Sequence, residues 1–163
     1  MKARYSVLMV CLGNICRSPT AEGVLRHLLR EAGLQEAVHV DSAGTQDYHT
    51  GSPPDERSCR HARRRGYDLS SLRARQVIDP DFAQFDLILA MDWNNLEALK
   101  SNCPPQHQHK LMRLMEFAPA GSREVVADPY CGGQDAFEST LDDVERACRG
   151  LLIHLRQALP PAG

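Results

Sequence analysis

Short, continuous apolar runs alternate along the chain with stretches in which apolar residues recur every three or four positions. The clearest runs are residues 7–10 and 85–91, and shorter ones lie at 38–40 and 110–114. A short apolar run between turn-forming residues is typical of a strand buried on both faces. We therefore predict four strands at these positions, the second of which leads into a loop at residues 41–44.

Helical periodicity follows the first three of these strands. Apolar residues spaced three and four apart over 21–29 predict a first helix, which Gly33 ends. Ser52, as a cap followed by prolines, predicts a second helix that ends at Gly66. Two further helices are predicted, one from residue 92 to about residue 100 and a long amphipathic one over 137–155 that Pro160-Pro161 stops.

Strands that alternate with helices predict an α/β fold, here an open, mostly parallel four-stranded sheet with helices on both faces. Ligands in such folds bind beyond the carboxyl ends of the strands, where the strand order reverses. The 163 residues contain no internal repeat, low-complexity segment or linker. We therefore predict a single domain over residues 1–163.

Composition and charge narrow the classes of partner. The formal net charge of −2 leaves no excess of lysine and arginine, so we expect no nucleic-acid partner, and we interpret the basic run 63–65 as a helix end that complements the helix dipole. The apolar run at residues 7–12 is too short for a signal peptide or a membrane span, so we expect no membrane association. The six cysteines then predict free thiols in a cytoplasmic protein.

One segment combines a thiol, an arginine and the start of a helix. Residues 7–19 read VLMVCLGNICRSP, in which Cys11 follows the first strand and Arg17 precedes a Ser-Pro pair that can open a helix. A helix N-terminus carries partial positive charge and free N–H groups, so it suits an oxyanion such as phosphate. The same field favours the thiolate form of a cysteine held there. The segment predicts an anion pocket with a nucleophilic thiolate at its base.

The run CLGNICRSPTAEG, residues 11–23, closely resembles the phosphate-binding loop of the low-molecular-weight protein tyrosine phosphatases. The resemblance continues in the expected order through DSAGT, PPD, ARQV, FDLILAMD and DPY, and so covers nearly the entire chain. It implies a flavodoxin-like fold of the phosphotyrosine phosphatase I type and hydrolysis of phosphotyrosine and small aryl phosphates. It also implies no cofactor, no metal, and a monomer or weak dimer.

The resemblance implies three catalytic residues. Cys11 attacks phosphorus and forms a cysteinyl-phosphate, while the planar fork of Arg17 holds two phosphoryl oxygens. Asp128 protonates the leaving oxygen and then activates water as a base. Loop N–H groups, a curl at Gly13, a hydrogen bond from Ser18 to the sulfur and two aromatic walls complete the predicted site. The predicted substrate-binding residues are Leu12, Gly13, Asn14, Ile15, Cys16, Ser18, Tyr48 and Tyr130.

Two positions leave alternatives open. Cys16 either forms a reversible disulfide with the nucleophile, as the matching cysteine can in this family, or is a packing residue of the loop. Many relatives carry a histidine just before ARQ that hydrogen-bonds to groups behind the phosphate loop, and this chain has Leu72 there. We expect Asn14, Ser18 and Ser42 to hold the loop in its absence.

Three other functions compete with this interpretation. An arsenate reductase of the same fold needs further cysteines in a mid-chain loop, and none lies between Cys59 and Cys103. Phosphoarginine phosphatases carry threonine where this chain has Ile15. An inactive phospho-ligand binding module would lack the thiol, the guanidinium or the acid, and all three are present. We therefore predict an active protein tyrosine phosphatase whose partner is a phosphotyrosine-containing protein or a small aryl phosphate.

Overall fold

The computed structural model describes residues 3–159 and contains the predicted sheet. Its strands are β1 (Tyr5–Cys11), β2 (Val38–Gly44), β3 (Leu87–Ala90) and β4 (Leu111–Arg113). The strands lie in the order β2-β1-β3-β4, and each neighbouring pair is parallel. The predicted α/β class with a four-stranded sheet is confirmed, and the pairing is entirely rather than mostly parallel.

Helices connect the strands and cover both faces of the sheet. They are α1 (Arg17–Glu31), α2 (Glu56–Arg64), α3 (Asp79–Gln84), α4 (Trp93–Asn102) and α5 (Gln134–Ala158). Two short 3-10 helices, Pro105–Lys110 and Leu114–Phe117, flank β4. The predicted stop at Pro160-Pro161 lies outside the described residues.

The predicted start of α2 at Ser52 is wrong. Asp55 is the N-cap, and its carboxylate accepts a hydrogen bond of 2.8 Å from the backbone N–H of Arg57. A residue that precedes proline is pushed towards extended backbone, so Ser52 and Pro53 cannot begin the helix. Asp55 is therefore the first residue in this segment that is free to cap it.

The segment before β3 also differs from the prediction. The short helix α3 was not predicted, and Phe85 closes it by donating its N–H to the Asp81 carbonyl at 3.0 Å, so β3 begins only at Leu87. The Asp81 carboxylate caps the start of α3 by accepting from the Ile78 N–H at 2.9 Å. Six residues give too little periodicity to distinguish a helix from an apolar strand start.

Strand β1 divides the core into two layers because its side chains alternate between the faces of the sheet. Val7 and Met9 pack in the cluster formed with α1 and α5, whereas Leu8 and Val10 pack in the cluster that contains Phe82 and residues of α4. All four β1 side chains are fully buried. This explains why β1 reads as an unbroken apolar run.

The strand order reverses at the carboxyl end of β1. The chain passes from β1 through α1 to β2 on one side, and later enters β3 on the other side of β1. Such a switch point leaves a crevice between the loops that leave the central strands. Cys11 is the last residue of β1 and therefore lies at the base of that crevice.

Candidate active site

The loop from β1 to α1 leaves a set of backbone donors without partners. Asn14 makes the turn with a φ of 59°, a left-handed conformation that asparagine tolerates better than most residues, so the curl that we assigned to Gly13 is made at Asn14. The N–H groups of residues 13–16 donate to no acceptor within residues 3–159. Backbone donors that bond to nothing else in the fold are free to bind an acceptor on the inner side of the loop.

Helix α1 adds further N–H donors and a positive partial charge at the same place. Its N-cap is Cys16, which makes no capping hydrogen bond with its side chain, and the first turn contains no acidic residue. The N-terminal N–H groups of the helix are therefore uncapped, and the positive end of its dipole is uncompensated. Together with the loop donors, this arrangement suits a phosphoryl group above Cys11.

Arg17 is held rigidly by one edge of its guanidinium. Its Nη1 donates to the Asp92 carboxylate at 2.6 Å and to the Val126 carbonyl at 3.1 Å, and only 3% of the residue is exposed. Nε and Nη2 make no hydrogen bond within the described chain, and Nη2 lies 3.8 Å from an Asp128 carboxylate oxygen. The free edge can donate two parallel hydrogen bonds to a phosphoryl group at little entropic cost, because the side chain is already fixed.

Behind the loop, a chain of hydrogen bonds sets the direction of the Ser18 hydroxyl. The Asn14 carbonyl oxygen accepts from the Arg75 N–H at 3.1 Å, so the amide NH₂ must point the other way, where it donates to Ser18 at 2.7 Å and Ser42 at 3.0 Å. Ser18 Oγ therefore already accepts a hydrogen bond from Asn14 and has its own proton to donate. The Cys11 sulfur lies 3.0 Å away, and in its thiolate form it has no proton and can only accept from Ser18. A donated hydrogen bond stabilises a thiolate.

Glu22 anchors the far end of this chain of hydrogen bonds. Its carboxylate accepts from Ser42 Oγ at 2.6 Å and pairs with Arg26 at 2.6 Å, although only 2% of the residue is exposed. Burial raises the pKa of this carboxyl, and the bond from Ser42 and the charge of Arg26 oppose that rise. Leu72, at the position of the relatives' histidine, packs against the apolar core instead. Asn14, Ser18 and Ser42 therefore connect the sulfur to Glu22 without a histidine.

The candidate acid stands on a loop that keeps one carboxylate oxygen free. Asp128 Oδ1 accepts the backbone N–H of Tyr130 at 3.0 Å, while Oδ2 faces Arg17. The side chain is 47% exposed, so it can exchange a proton with water. The Arg57 guanidinium lies 5.4 Å from the centre of the Tyr130 ring and 4.6 Å from that of Phe137, which fixes the start of α5 and the loop before it.

These groups surround one pocket of about 220 Å³. Most of the predicted site residues line it, and His49, which we did not predict, lies beside Gly13. Asn14 and Ser18 lie behind the loop rather than in the pocket, with 2% and 0% of their surface exposed. Tyr48 and Tyr130 are 67% and 48% exposed and form the rim. The lining residues are Cys11, Leu12, Gly13, Ile15, Cys16, Arg17, Tyr48, His49, Asp128 and Tyr130.

Comparison with known proteins identifies the family. The model of the low molecular weight phosphotyrosine protein phosphatase family matches residues 6–160. The chain belongs to this family. A putative low-molecular-weight protein-tyrosine-phosphatase of Synechocystis is 44% identical over 154 residues, which are 94% of this chain and 98% of that protein. The human low molecular weight phosphotyrosine protein phosphatase is 42% identical over 153 residues, covering 93% and 96% of the two chains.

Solved structures of phosphatases share the fold throughout. The crystal structure of protein tyrosine phosphatase from Entamoeba histolytica with Hepes in the active site superimposes with a TM-score of 0.92 at 39% identity, covering 94% of this chain and 98% of that one. The crystal structure of YfkJ from Bacillus subtilis gives a TM-score of 0.90 at 36% identity, with 96% and 97% covered. The predicted family, fold class and enzyme class are thereby confirmed: this chain is a protein tyrosine phosphatase.

The two cysteines of the phosphatase loop differ in their surroundings. Both are buried and free, but Cys16 is the N-cap of α1 and also contacts Ser58 of α2. Burial raises the pKa of Cys16 to about 12, despite the hydrogen bond with Ser58 that lowers it. Cys16 is therefore a protonated thiol at neutral pH, which is not the form in which a cysteine acts as a nucleophile.

Asp92 and Glu22 are the supporting residues of the phosphatase that sequence reasoning missed. Asp92 caps α4 through its bond from the Asn95 N–H at 2.7 Å, and its other oxygen holds Arg17. Because Asp92 follows a central strand, its position in the sequence could have indicated a site residue. Glu22 follows Ser18 by four residues and precedes Leu25 by three, so an acid stands where helical periodicity requires an apolar residue.

Residues 3–159 contain no cluster of three or more His, Cys, Asp or Glu side chains placed to hold a metal ion. None of the helices in that range combines the length and the apolar character that a membrane crossing needs.

Proposed function

We propose that Cys11, Arg17 and Asp128 carry out phosphotyrosine hydrolysis in this phosphatase as nucleophile, phosphate clamp and general acid/base. The observation that carries the proposal is the set of unpartnered N–H groups at residues 13–16, which curve between the Cys11 thiol and the anchored Arg17 guanidinium. Donors held in place before the reaction stabilise charge that develops in the transition state without reorganisation.

In the first step, the Cys11 thiolate attacks phosphorus with a lone pair of its sulfur. The P–O bond to the tyrosine oxygen breaks as the P–S bond forms, and the leaving oxygen takes the proton of Asp128. The loop N–H groups and the free edge of Arg17 stabilise the equatorial oxygens throughout. The products are a neutral tyrosine side chain, a cysteinyl-phosphate and an ionised Asp128.

In the second step, water attacks the same phosphorus from the side that the tyrosine has left. Asp128 now accepts a proton from the water, and the P–S bond breaks with its electron pair returning to sulfur. The hydroxyl of Ser18, which the amide of Asn14 holds as a donor, makes sulfur a better leaving group. Inorganic phosphate departs, and both the thiolate and the protonated acid are regenerated.

We propose that Leu12, Gly13 and Ile15 shape the floor of the slot and that Tyr48 and Tyr130 hold the phenyl ring of the substrate between them. Two exposed rings at the rim of a narrow pocket fit an aryl phosphate by stacking. A phosphotyrosine side chain is long enough to place its phosphate at the base while its ring stays at the rim.

We further propose that the phosphatase is a single domain over residues 1–163, that it works as a monomer or weak dimer, and that it is cytoplasmic. The family match over residues 6–160 supports the single domain. Six free cysteines, one of them the proposed nucleophile, support a reducing compartment.

The mechanism is tested by trapping its intermediate. Rapid acid quench during turnover of para-nitrophenyl phosphate in the presence of EDTA should give phosphorylated protein, and peptide mapping should place the phosphate on Cys11. A burst of nitrophenol equal to the enzyme concentration is expected if the second step is slower. Phosphate on another residue, or loss of activity in EDTA that a divalent metal restores, would contradict the proposal.

Cys16 gives a separate prediction for oxidation. Peroxide should convert Cys11 to a sulfenic acid, which Cys16 captures as a disulfide with loss of water, so the native protein should recover activity with dithiothreitol. In Cys16→Ser the uncaptured sulfenic acid should oxidise further to a sulfinic acid, which dithiothreitol does not reduce. Because the thiolate is the attacking species and burial holds the pKa of Cys16 near 12, disulfide closure should speed up about tenfold per pH unit between pH 6 and 9.

The control for this experiment is Cys131→Ser, which removes the exposed thiol that follows Tyr130. It should recover like the native protein. Equal recovery of Cys16→Ser and the native protein would show that Cys16 is only a packing residue of the loop.

A further inference from the structure

The solvent side of α2 carries three exposed arginines, Arg60, Arg63 and Arg64, which we call the arginine face. Their spacing of three and four residues places them side by side on the helix. Residues 56–65 contain five arginines and one glutamate in a chain whose formal net charge is −2. This short segment is therefore strongly basic, whereas the rest of the chain carries a net negative charge.

The fold uses the other two arginines of this segment but not the arginine face. Arg65 pairs with Glu138, Asp142 and Glu145 and thereby attaches α2 to α5. Arg57 pairs with Asp55 at 3.0 Å.

The three arginines of the face make no ion pair with any residue in the range 3–159. The charge of Arg63 acts on nearby Asp68, but the two side chains form no ion pair, nor do Arg60 and Glu56 four residues before it. The interpretation of residues 63–65 as a dipole-matched helix end thus accounts for where they lie but not for three unpaired charges.

Helix α2 begins at the wall of the catalytic pocket. The Asp55 N–H donates to the Ile15 carbonyl of the phosphate loop at 2.8 Å, and Arg57 lies against the ring of Tyr130 at the rim. Arg60 is one helical turn further on, and Arg64 lies about 10 Å along the axis from Arg57. That distance equals roughly three residues of an extended peptide. The arginine face therefore begins one helical turn from the rim residue Arg57 and extends over the length of a short peptide segment.

We propose that the arginine face binds acidic side chains that flank the phosphotyrosine of a protein substrate, an inference that rests on the proposed function of the pocket. Guanidinium groups recognise carboxylates through paired, planar hydrogen bonds, and unpaired ones have these donors to offer. A positive surface beside the pocket also steers an acidic substrate towards it. The rest of the acidic protein repels such a substrate, so the arginine face sets the orientation of approach.

The expected effect is on substrate capture rather than on chemistry. Each exposed pair contributes little by itself, but three together are expected to change kcat/KM by about tenfold. The change should appear in KM, because the arginines do not touch the reacting atoms and kcat depends on the pocket alone. Added salt should reduce the preference, since it screens exposed charges.

The test uses two phosphotyrosyl peptides that differ only in their flanks, one with Asp and Glu and the other with Asn and Gln at the same positions. The native phosphatase should prefer the acidic peptide. The triple variant Arg60→Gln, Arg63→Gln, Arg64→Gln should lose about tenfold in kcat/KM on the acidic peptide, and should act like the native protein on the neutral peptide and on para-nitrophenyl phosphate.

The matched control removes the same charge elsewhere. Arg30→Gln, Arg149→Gln, Arg156→Gln changes three exposed helical arginines of α1 and α5 and should keep the native preference.

An equal loss in the control would show that net charge, not the arginine face, is responsible. Equal rates of the native protein on both peptides would also overturn the proposal, as would a loss on the neutral peptide. Binding of the native protein but not the triple variant to anionic lipid vesicles, with unchanged peptide preference, would replace the peptide by a membrane surface. Activity on para-nitrophenyl phosphate reports on the proposed function independently in every variant.

Discussion

Cys11→Ser is expected to abolish turnover of para-nitrophenyl phosphate, with a loss of about 10⁴- to 10⁶-fold, the range in which removal of a covalent nucleophile falls. A serine hydroxyl is not ionised at neutral pH, and its hydrogen-bond partner in this position, Ser18, is another hydroxyl that cannot act as a base. The substitution leaves the free N–H groups of residues 13–16 and the anchored Arg17 in place. The variant should therefore bind vanadate or phosphate as the native protein does, measured by calorimetry.

The control for this substitution is Cys16→Ser, which makes the same thiol-to-hydroxyl change in the same loop. It should retain turnover, because burial keeps Cys16 a protonated thiol that has no part in the proposed transfer of the phosphoryl group. Undiminished activity of Cys11→Ser would exclude the covalent mechanism. Loss of both turnover and oxyanion binding would indicate a collapsed loop rather than a missing nucleophile.

The fold could be predicted from the sequence where burial is complete on both faces. Strand β1 is such a case, because four fully buried residues in succession leave no alternative to a central strand. The elements that were missed or misplaced are short and half-exposed. Helix α3 has only about one and a half turns, in which exposed and buried residues are mixed. The start of α2 depends on two prolines, which restrict the backbone only of the residues next to them. Boundaries of this kind are set by capping contacts with particular neighbours, not by periodicity.

The chemistry of the residues alone predicted the contiguous part of the site, whereas Asp128, Tyr48 and Tyr130 were predicted from the family resemblance. Cys11, Arg17 and the loop between them are adjacent in the sequence, so their geometry follows from one strand, one turn and one helix. Asp92 contacts Arg17 across 75 positions of the chain. Its sequence role as the cap of α4 was visible, but the second use of its carboxylate depends on how α1 and α4 approach each other across the sheet.

Leu72 is a position where the sequence shows what is absent but not what compensates for it. The lack of the histidine could be seen in the sequence, but the contacts that take over its role could not. Ser42 reaches Glu22 directly at 2.6 Å, and Arg26 compensates the charge of that buried acid from the next turn of α1. The chain of hydrogen bonds that orients Ser18 is therefore complete without an imidazole, and its single titratable member is the Glu22 carboxyl, whose pKa burial raises.

Asp128→Asn is expected to slow hydrolysis of phosphotyrosine and phenyl phosphate by about 10²- to 10⁴-fold, the usual contribution of a positioned general acid. The substitution is suited to the structure because the two oxygens of Asp128 do different work. Oδ1 holds the loop by accepting the Tyr130 N–H at 3.0 Å, and an asparagine oxygen can keep that bond. Only Oδ2, the oxygen on the side of Arg17, loses its ability to carry a proton.

The decisive measurement is therefore the dependence of the rate on the leaving group. An aryl phosphate whose phenol is acidic departs without a proton, so Asp128→Asn should lose progressively less as the phenol becomes more acidic, and a plot of log kcat/KM against phenol pKa should steepen. Asp135→Asn, which changes an exposed acid in the first turn of α5, serves as the control and should follow the native line. If Asp128→Asn slowed good and poor leaving groups equally, the residue would position the loop and Arg17 rather than donate the proton. A steeper line in Asp128→Asn with an unchanged one in Asp135→Asn can only arise if Oδ2 protonates the leaving oxygen in the transition state.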